Sequence, residues 1–137
     1  MKTLLLFLIF ISCTSAEEIK YAPQEVITTD TLTKLINDER RNWSLNELKS
    51  ESLLIELSKQ KVLEMERNQE VSHNGFAELP IQTEIFAQII GFGYKNETNL
   101  FNSYMTSLEH QDKILGNFTH IGSYTHNSYN CVLFAKY

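Results

Sequence analysis

The chain has 137 residues, a formal net charge of −5, 21% charged residues and 11% aromatic residues. That composition suits one packed domain and argues against wholesale disorder. A net-acidic chain without a basic stripe is a poor match for polyanions, so no nucleic acid partner is expected.

The N-terminus comes first. Met1-Lys2 is a short basic start, Leu4 to Ile11 reads LLLFLIFI, and Thr14-Ser15-Ala16 places small residues ahead of Glu17-Glu18. This is the pattern of a secretory signal peptide over residues 1–16. The apolar run is too short for the ~20 residues of a bilayer-crossing helix, and no later window compensates. No transmembrane span is therefore expected in the mature chain. Cleavage after Ala16 leaves Cys131 as the sole cysteine and forbids an internal disulfide. Cleavage before Cys13 would instead leave that cysteine for a lipid anchor, since Ile11-Ser12 matches the last two places of a bacterial lipobox and Phe10 stands where Leu is usual. Under either cut the domain must be stable without disulfide staples. Cys131 lies in an alternating apolar run and reads as a small buried hydrophobe.

Residues 17–29 (EEIKYAPQEVITT) carry Pro23 and no clear period, and read as a leader or linker ahead of a domain over 30–137. Asp30 is suited to N-cap a helix over about 31–41, where Leu32, Leu35 and Ile36 recur at helical spacing. Two starts compete for the next helix. Ser44 and Glu47 fit a capping box, while Ser50 opens a helix from 51 to about 69. In that helix Leu54, Leu57, Val62 and Met65 form one apolar stripe. Residues 71–83 hold Gly75 and Pro80 and read as loop. The run EIFAQIIGFGY is rich in β-branched and aromatic residues and predicts a strand. On it Glu84, Phe86, Gln88 and Ile90 share one face, and Ile85, Ala87 and Ile89 the other. A helix over 97–115 follows from Leu100, Phe101, Tyr104, Met105 and Leu108, with Gly116 as its stop. Two strands, about 118–125 and 129–136, join at a turn near His126-Asn127-Ser128. The order of elements predicts an α+β domain.

Several segments carry a resemblance. Ile36-Asn37-Asp38-Glu39-Arg40 reproduces a V-N-x-x-R pattern, and Leu48 and Leu54 fit an L-x-W-D-x-x-L stretch in which Ser50 replaces the aromatic. Met65 and Ser72-His73 follow at matching spacing. Glu84-Ile85-Phe86-Ala87 resembles E-N-I-A, Tyr104 to His110 resembles W-M-x-S-x-x-H with Ile114-Leu115 extending it, and Asn117 to Gly122 resembles N-F-T-x-I-G. In this order they resemble the bacterial branch of the CAP (SCP-like) superfamily over residues 31–137. The resemblance implies an α-β-α sandwich with a small, mainly antiparallel sheet between helices. It also implies a surface cleft lined by two histidines and one or two glutamates, which in some members holds a divalent metal. The matching positions are His73, Glu84 and His110. Ser107 stands where the eukaryotic branch has a second glutamate, and Thr83 and Ile85 replace the common Gly and Asn.

Two histidines and a carboxylate suffice as first ligands of an open zinc site, with His73 and His110 as the metal-binding pair. The same residues also suit two neutral imidazoles with Glu84 orienting one ring. Ser107 and His110, three apart on one predicted helix, share a face. No orienting group or oxyanion hole accompanies them, so Ser107 reads as a packing residue more than a nucleophile. The phenylalanines and tyrosines from Phe86 to Tyr104 read as core before they read as a lipid groove. Three functions therefore stand open. The first is an exported binding module whose cleft takes a small molecule, lipid, metal or protein partner. The second is a metal-dependent hydrolase acting on peptides or cell-envelope material, with zinc as cofactor. The third is a stable surface scaffold.

Overall fold

A computed structural model of the protein describes residues 30–137. The expected signal peptide over residues 1–16, the expected leader over 17–29 and the fate of Cys13 lie outside the described residues. Helix α1 (Thr31–Asn42) is followed by a two-residue strand β1 (Lys49–Ser50) and helix α2 (Ser52–Asn68). Strand β2 (Phe86–Phe92), helices α3 (Glu97–Thr106) and α4 (Leu108–Ile114), and strands β3 (His120–His126) and β4 (Tyr129–Ala135) complete the order. The sheet runs β1-β3-β4-β2. Its long pairings are antiparallel, Ile121 opposite Phe134 and Ile89 opposite Val132 among them, and β1 alone pairs in parallel with β3.

Period-2 alternation divides the interior into two cores. Along β4, Val132 and Phe134 face one side, where they meet Leu32 and Ile36 of α1, Leu100 and Tyr104 of α3, and Ile114 of α4. Cys131, Leu133 and Ala135 face the other side and meet Leu54, Leu57, Val62 and Met65 of α2. The result is the expected α+β sandwich of three layers, with β4 buried on both faces. All four residues of the expected α2 stripe are buried. Each such side chain withdrawn from water is worth about 1.5–3 kcal/mol. At Gly122 the backbone of α2 lies so close to β3 that an added Cβ would stand 2.2 Å from the Leu54 carbonyl carbon. Only glycine admits that approach.

Local structure departs from the sequence reading in four places. Helix α2 begins at neither Ser44 nor Ser50: its N-cap is Glu51, fully buried, whose carboxylate accepts the Leu53 and Leu54 N–H groups at 3.0 and 2.9 Å. Ser44 sits at φ 58° in the turn after α1. The first strand of the hairpin sheet starts at Phe86 and not at Glu84. Before it, Thr83 closes a local turn, its hydroxyl donating to the Lys136 carbonyl at 2.6 Å and accepting the Ile85 N–H at 3.2 Å. The single helix expected over 97–115 is two helices, because Ser107 adopts φ −99°, ψ 115°. Finally, β1 was not foreseen, since two residues carry no period.

The V-N-x-x-R-like segment finds a physical role here. The Asn37 side-chain amide donates to the Leu48 carbonyl at 3.0 Å and its oxygen accepts the Leu48 N–H at 2.8 Å, so it copies one rung of a β-ladder. Arg40 is 2% exposed. Its guanidinium donates to the carbonyls of Asn46 (2.9 Å), Ile114 (2.8 Å) and Gly116 (2.8 Å). Two of these are carbonyls at the C-terminal end of α4, which a cation satisfies both by hydrogen bonds and through the helix dipole. One arginine thereby ties α1, the loop before β1 and the exit of α4 into one unit.

Candidate functional site

The His73 ring lies on the loop after α2, exposed at its tip. Its Nδ1 is 2.8 Å from the Gln88 side-chain oxygen. The Gln88 amide nitrogen in turn donates to Cys131 Sγ at 3.6 Å. This chain assigns the Gln88 oxygen toward His73, so Nδ1 carries the ring proton and Nε2 keeps its lone pair in the neutral form. Gln88 is almost fully buried in the middle of β2, and its partners meet the need of a buried amide for hydrogen bonds. Phe76 packs against Phe86 with ring centroids 4.9 Å apart. Around these groups an open depression of about 320 Å³ is lined by His73, Phe76, Phe86, Ala87, Gln88, Glu109 and Lys113.

On the opposite wall, α4 supplies an ion pair, Lys113 Nζ to Glu109 Oε1 at 2.9 Å. The hydrogen bond from Lys113 holds the Glu109 carboxyl below its usual range, with smaller help from the charges of His110 and His73. The His110 ring packs at a tilt against buried Tyr104, with centroids 5.0 Å apart and planes 58° apart. Burial lowers its pKa first. The Lys113 charge acts in the same direction, Glu109 opposes it, and a charge on His73 lowers it further. Cys131, behind Gln88, is free and fully buried, as the sequence suggested, and burial pushes its thiol up to about 12.

The expected site residues separate into two groups. His73 lines the depression, and His110 stands beside it within electrostatic reach. Glu84 is exposed two residues ahead of β2 and is not among the lining residues. The position expected for it beside the His73 ring is filled by Gln88, from within β2. Ser107 sits half-buried in the break between α3 and α4, where its side chain makes no cap bond and does not reach the lining. The break also removes the expected common helical face of Ser107 and His110. Glu109, Lys113 and Gln88 were not foreseen as site residues. A lone amide inside the apolar run FAQIIGF was the available signal for Gln88, because a buried polar side chain needs a partner.

Among the described residues, no three His, Cys, Asp or Glu side chains are grouped so as to hold a metal ion. The donor set therefore does not fit zinc as it stands, and the pairing of His73 with His110 gains no third ligand from Glu84.

Sequence comparison finds no matching family model and no matching curated protein. Solved structures do match. One is a cysteine-rich secretory protein from Staphylococcus aureus, 20% identical with a TM-score of 0.72 over 78% of this chain and 37% of that one. Another is an extracellular protein containing an SCP domain from Bacillus anthracis, 15% identical with a TM-score of 0.73 over 77% of this chain and 39% of that one. A third is an outer surface protein from Borrelia burgdorferi, 20% identical with a TM-score of 0.70, covering 84% of this chain and 98% of that one. The architecture is thus an α-β-α sandwich of the kind found in bacterial surface and secreted proteins. In family terms, the chain has the CAP (SCP) domain fold. It spans little more than a third of the Staphylococcus and Bacillus chains and nearly all of the Borrelia one. No helix among the described residues is long and apolar enough to cross a membrane.

Proposed function

We propose that this chain is an exported CAP-domain binding module whose cleft, between the His73 loop and α4, takes a ligand with an apolar part and a hydrogen-bonding group. The observation that carries the reading is the His73–Gln88 hydrogen bond. A neutral amide fixes the ring and leaves Nε2 as an acceptor. It lacks the negative charge with which a carboxylate would stabilise an imidazolium during general-base catalysis. Phe76, Phe86 and Ala87 supply apolar surface, and the volume of about 320 Å³ lies at the lower end of small-molecule sites. Export is supported by the apolar N-terminal run, and by the secretory, extracellular and outer-surface descriptions of the structural neighbours.

A metal-dependent hydrolase is the second reading, in which His73 and His110 would have to close on an ion that their present arrangement does not hold. Nuclear magnetic resonance titrations separate the readings, using soluble peptidoglycan fragments, phosphatidylglycerol vesicles and zinc chloride as probes. Binding predicts that one of the first two perturbs His73, Gln88 and Phe76 together, and that Phe76→Ala weakens it at least about tenfold. Stoichiometric zinc lost in His73→Ala would transfer the conclusion to the hydrolase. Silence of the cleft to every probe would leave the scaffold.

A further inference from the structure

Lys61 occupies a core position. It follows Leu57 and precedes Met65 by one helical turn each on the buried face of α2, and it is 6% exposed. A helix required only to pack against the sheet would carry an apolar side chain there, since taking an ammonium out of water costs free energy that ion pairing only partly returns. The use made of this ammonium is specific. Nζ donates to the Asn74 backbone carbonyl at 2.8 Å and lies 3.4 Å from both Glu64 carboxylate oxygens. Asn74 directly follows His73, and the same turn is closed by the Phe76 N–H donating to the His73 carbonyl at 3.1 Å. The His73 ring is therefore held by Gln88 from β2, and the turn that directly follows His73 is held by Lys61 from α2. The Lys61 charge also reaches the Cys131 thiol, which receives the Gln88 amide. Both grips converge on one buried polar cluster.

We propose that Lys61 is a positioning residue of the cleft: by tying down Asn74 it sets the His73 ring in line with Gln88 and so presents Nε2 to the ligand. The proposal rests on the cleft being the binding site, yet its test needs no ligand. In the full chain labelled with ¹⁵N, the ring-nitrogen shifts of His73 report which nitrogen carries the proton. The expected result is a predominant Nδ1–H form in the natural protein. In Lys61→Met the ratio should shift about fivefold toward Nε2–H, the loss of one hydrogen bond's worth of preference, while His120 and His126 stay unchanged. Lys61→Arg should restore the natural ratio, because a guanidinium can donate to the same carbonyl and a hollow of about 110 Å³ beside Lys61 gives it room. An unchanged His73 in folded Lys61→Met overturns the proposal, as does a common shift of all the histidines. If Lys61→Met does not fold, Lys61→Gln carries the same expectation with a short neutral side chain. Unfolding of both also overturns it, because Lys61 would then hold the whole fold and not the ring. Absence of ligand binding with the His73 ratio behaving as stated would instead refute the cleft reading alone.

Discussion

Arg40 and His73 make an instructive pair. Both are polar residues in segments where the sequence resembles the CAP superfamily, and both accept or donate hydrogen bonds across elements far apart in the chain. Arg40 is buried, and its side chain bonds three backbone carbonyls from two distant segments. His73 is exposed, fixed through one ring nitrogen, and its ring borders an open depression. A polar group consumed entirely by backbone partners holds the fold together. One held by a single side and otherwise turned outward can be held in place and still meet something else.

The comparison can be broken by substitution. Arg40→Met strips several charge-assisted hydrogen bonds and leaves carbonyls unpaired, so the unfolding free energy should fall by roughly 4 kcal/mol or more in urea titration. Were the loss below about 1 kcal/mol, Arg40 would not be the tie it is described as. Leu54→Ala should cost about 3 kcal/mol, through a cavity against β3 and β4. Calorimetry on that variant measures how much of the stability lies in the α2 face, independently of Arg40. Gln88→Ala should cost less, about 1–2 kcal/mol, since it leaves a thiol and an exposed ring short of a partner. It should nevertheless change the His73 ring more than any other histidine, and an unaltered His73 spectrum would undo the contrast.

The smallest expected effect is one of pH. His110 has its pKa lowered in the fold, chiefly by burial. Between the ordinary histidine pKa and that lower value, the unfolded chain binds more protons than the folded one. Stability therefore falls as pH drops below about 6.5. His110→Phe should flatten this acid limb in thermal melts, whereas Arg40 variants should leave its slope alone.

Much of this architecture was readable from residue order. The α2 stripe, the alternation in β4 and the final hairpin all announce themselves through period, because one face of each must leave water. What escaped was set by partners distant in sequence. Glu51 caps a helix although glutamate is not a preferred capping residue, and it can do so because it is buried at the start of α2 beside β1. Ser107 breaks a helix with no glycine or proline, so apolar spacing runs on across a change of axis. Lys61 falls on the buried face of α2, where the apolar spacing of its neighbours gives no sign that a cation finds a partner. At the site, the resemblance placed a glutamate at Glu84, but the strand face that meets His73 is occupied by Gln88 four residues later. Periodicity put both on one strand face, but the strand begins only at Phe86 and leaves Glu84 outside it. It could not say which of them lies opposite the loop.

The order β1-β3-β4-β2 has a consequence for the birth of the molecule. The innermost strand, which both cores require, is also the final element to leave the ribosome among those described. Until residues 129–135 emerge, β2 and β3 have no common neighbour, and α2 has only half a sheet to rest on. Helices can flicker earlier, but cooperative folding of the sandwich must wait until β4 has emerged to join its two halves.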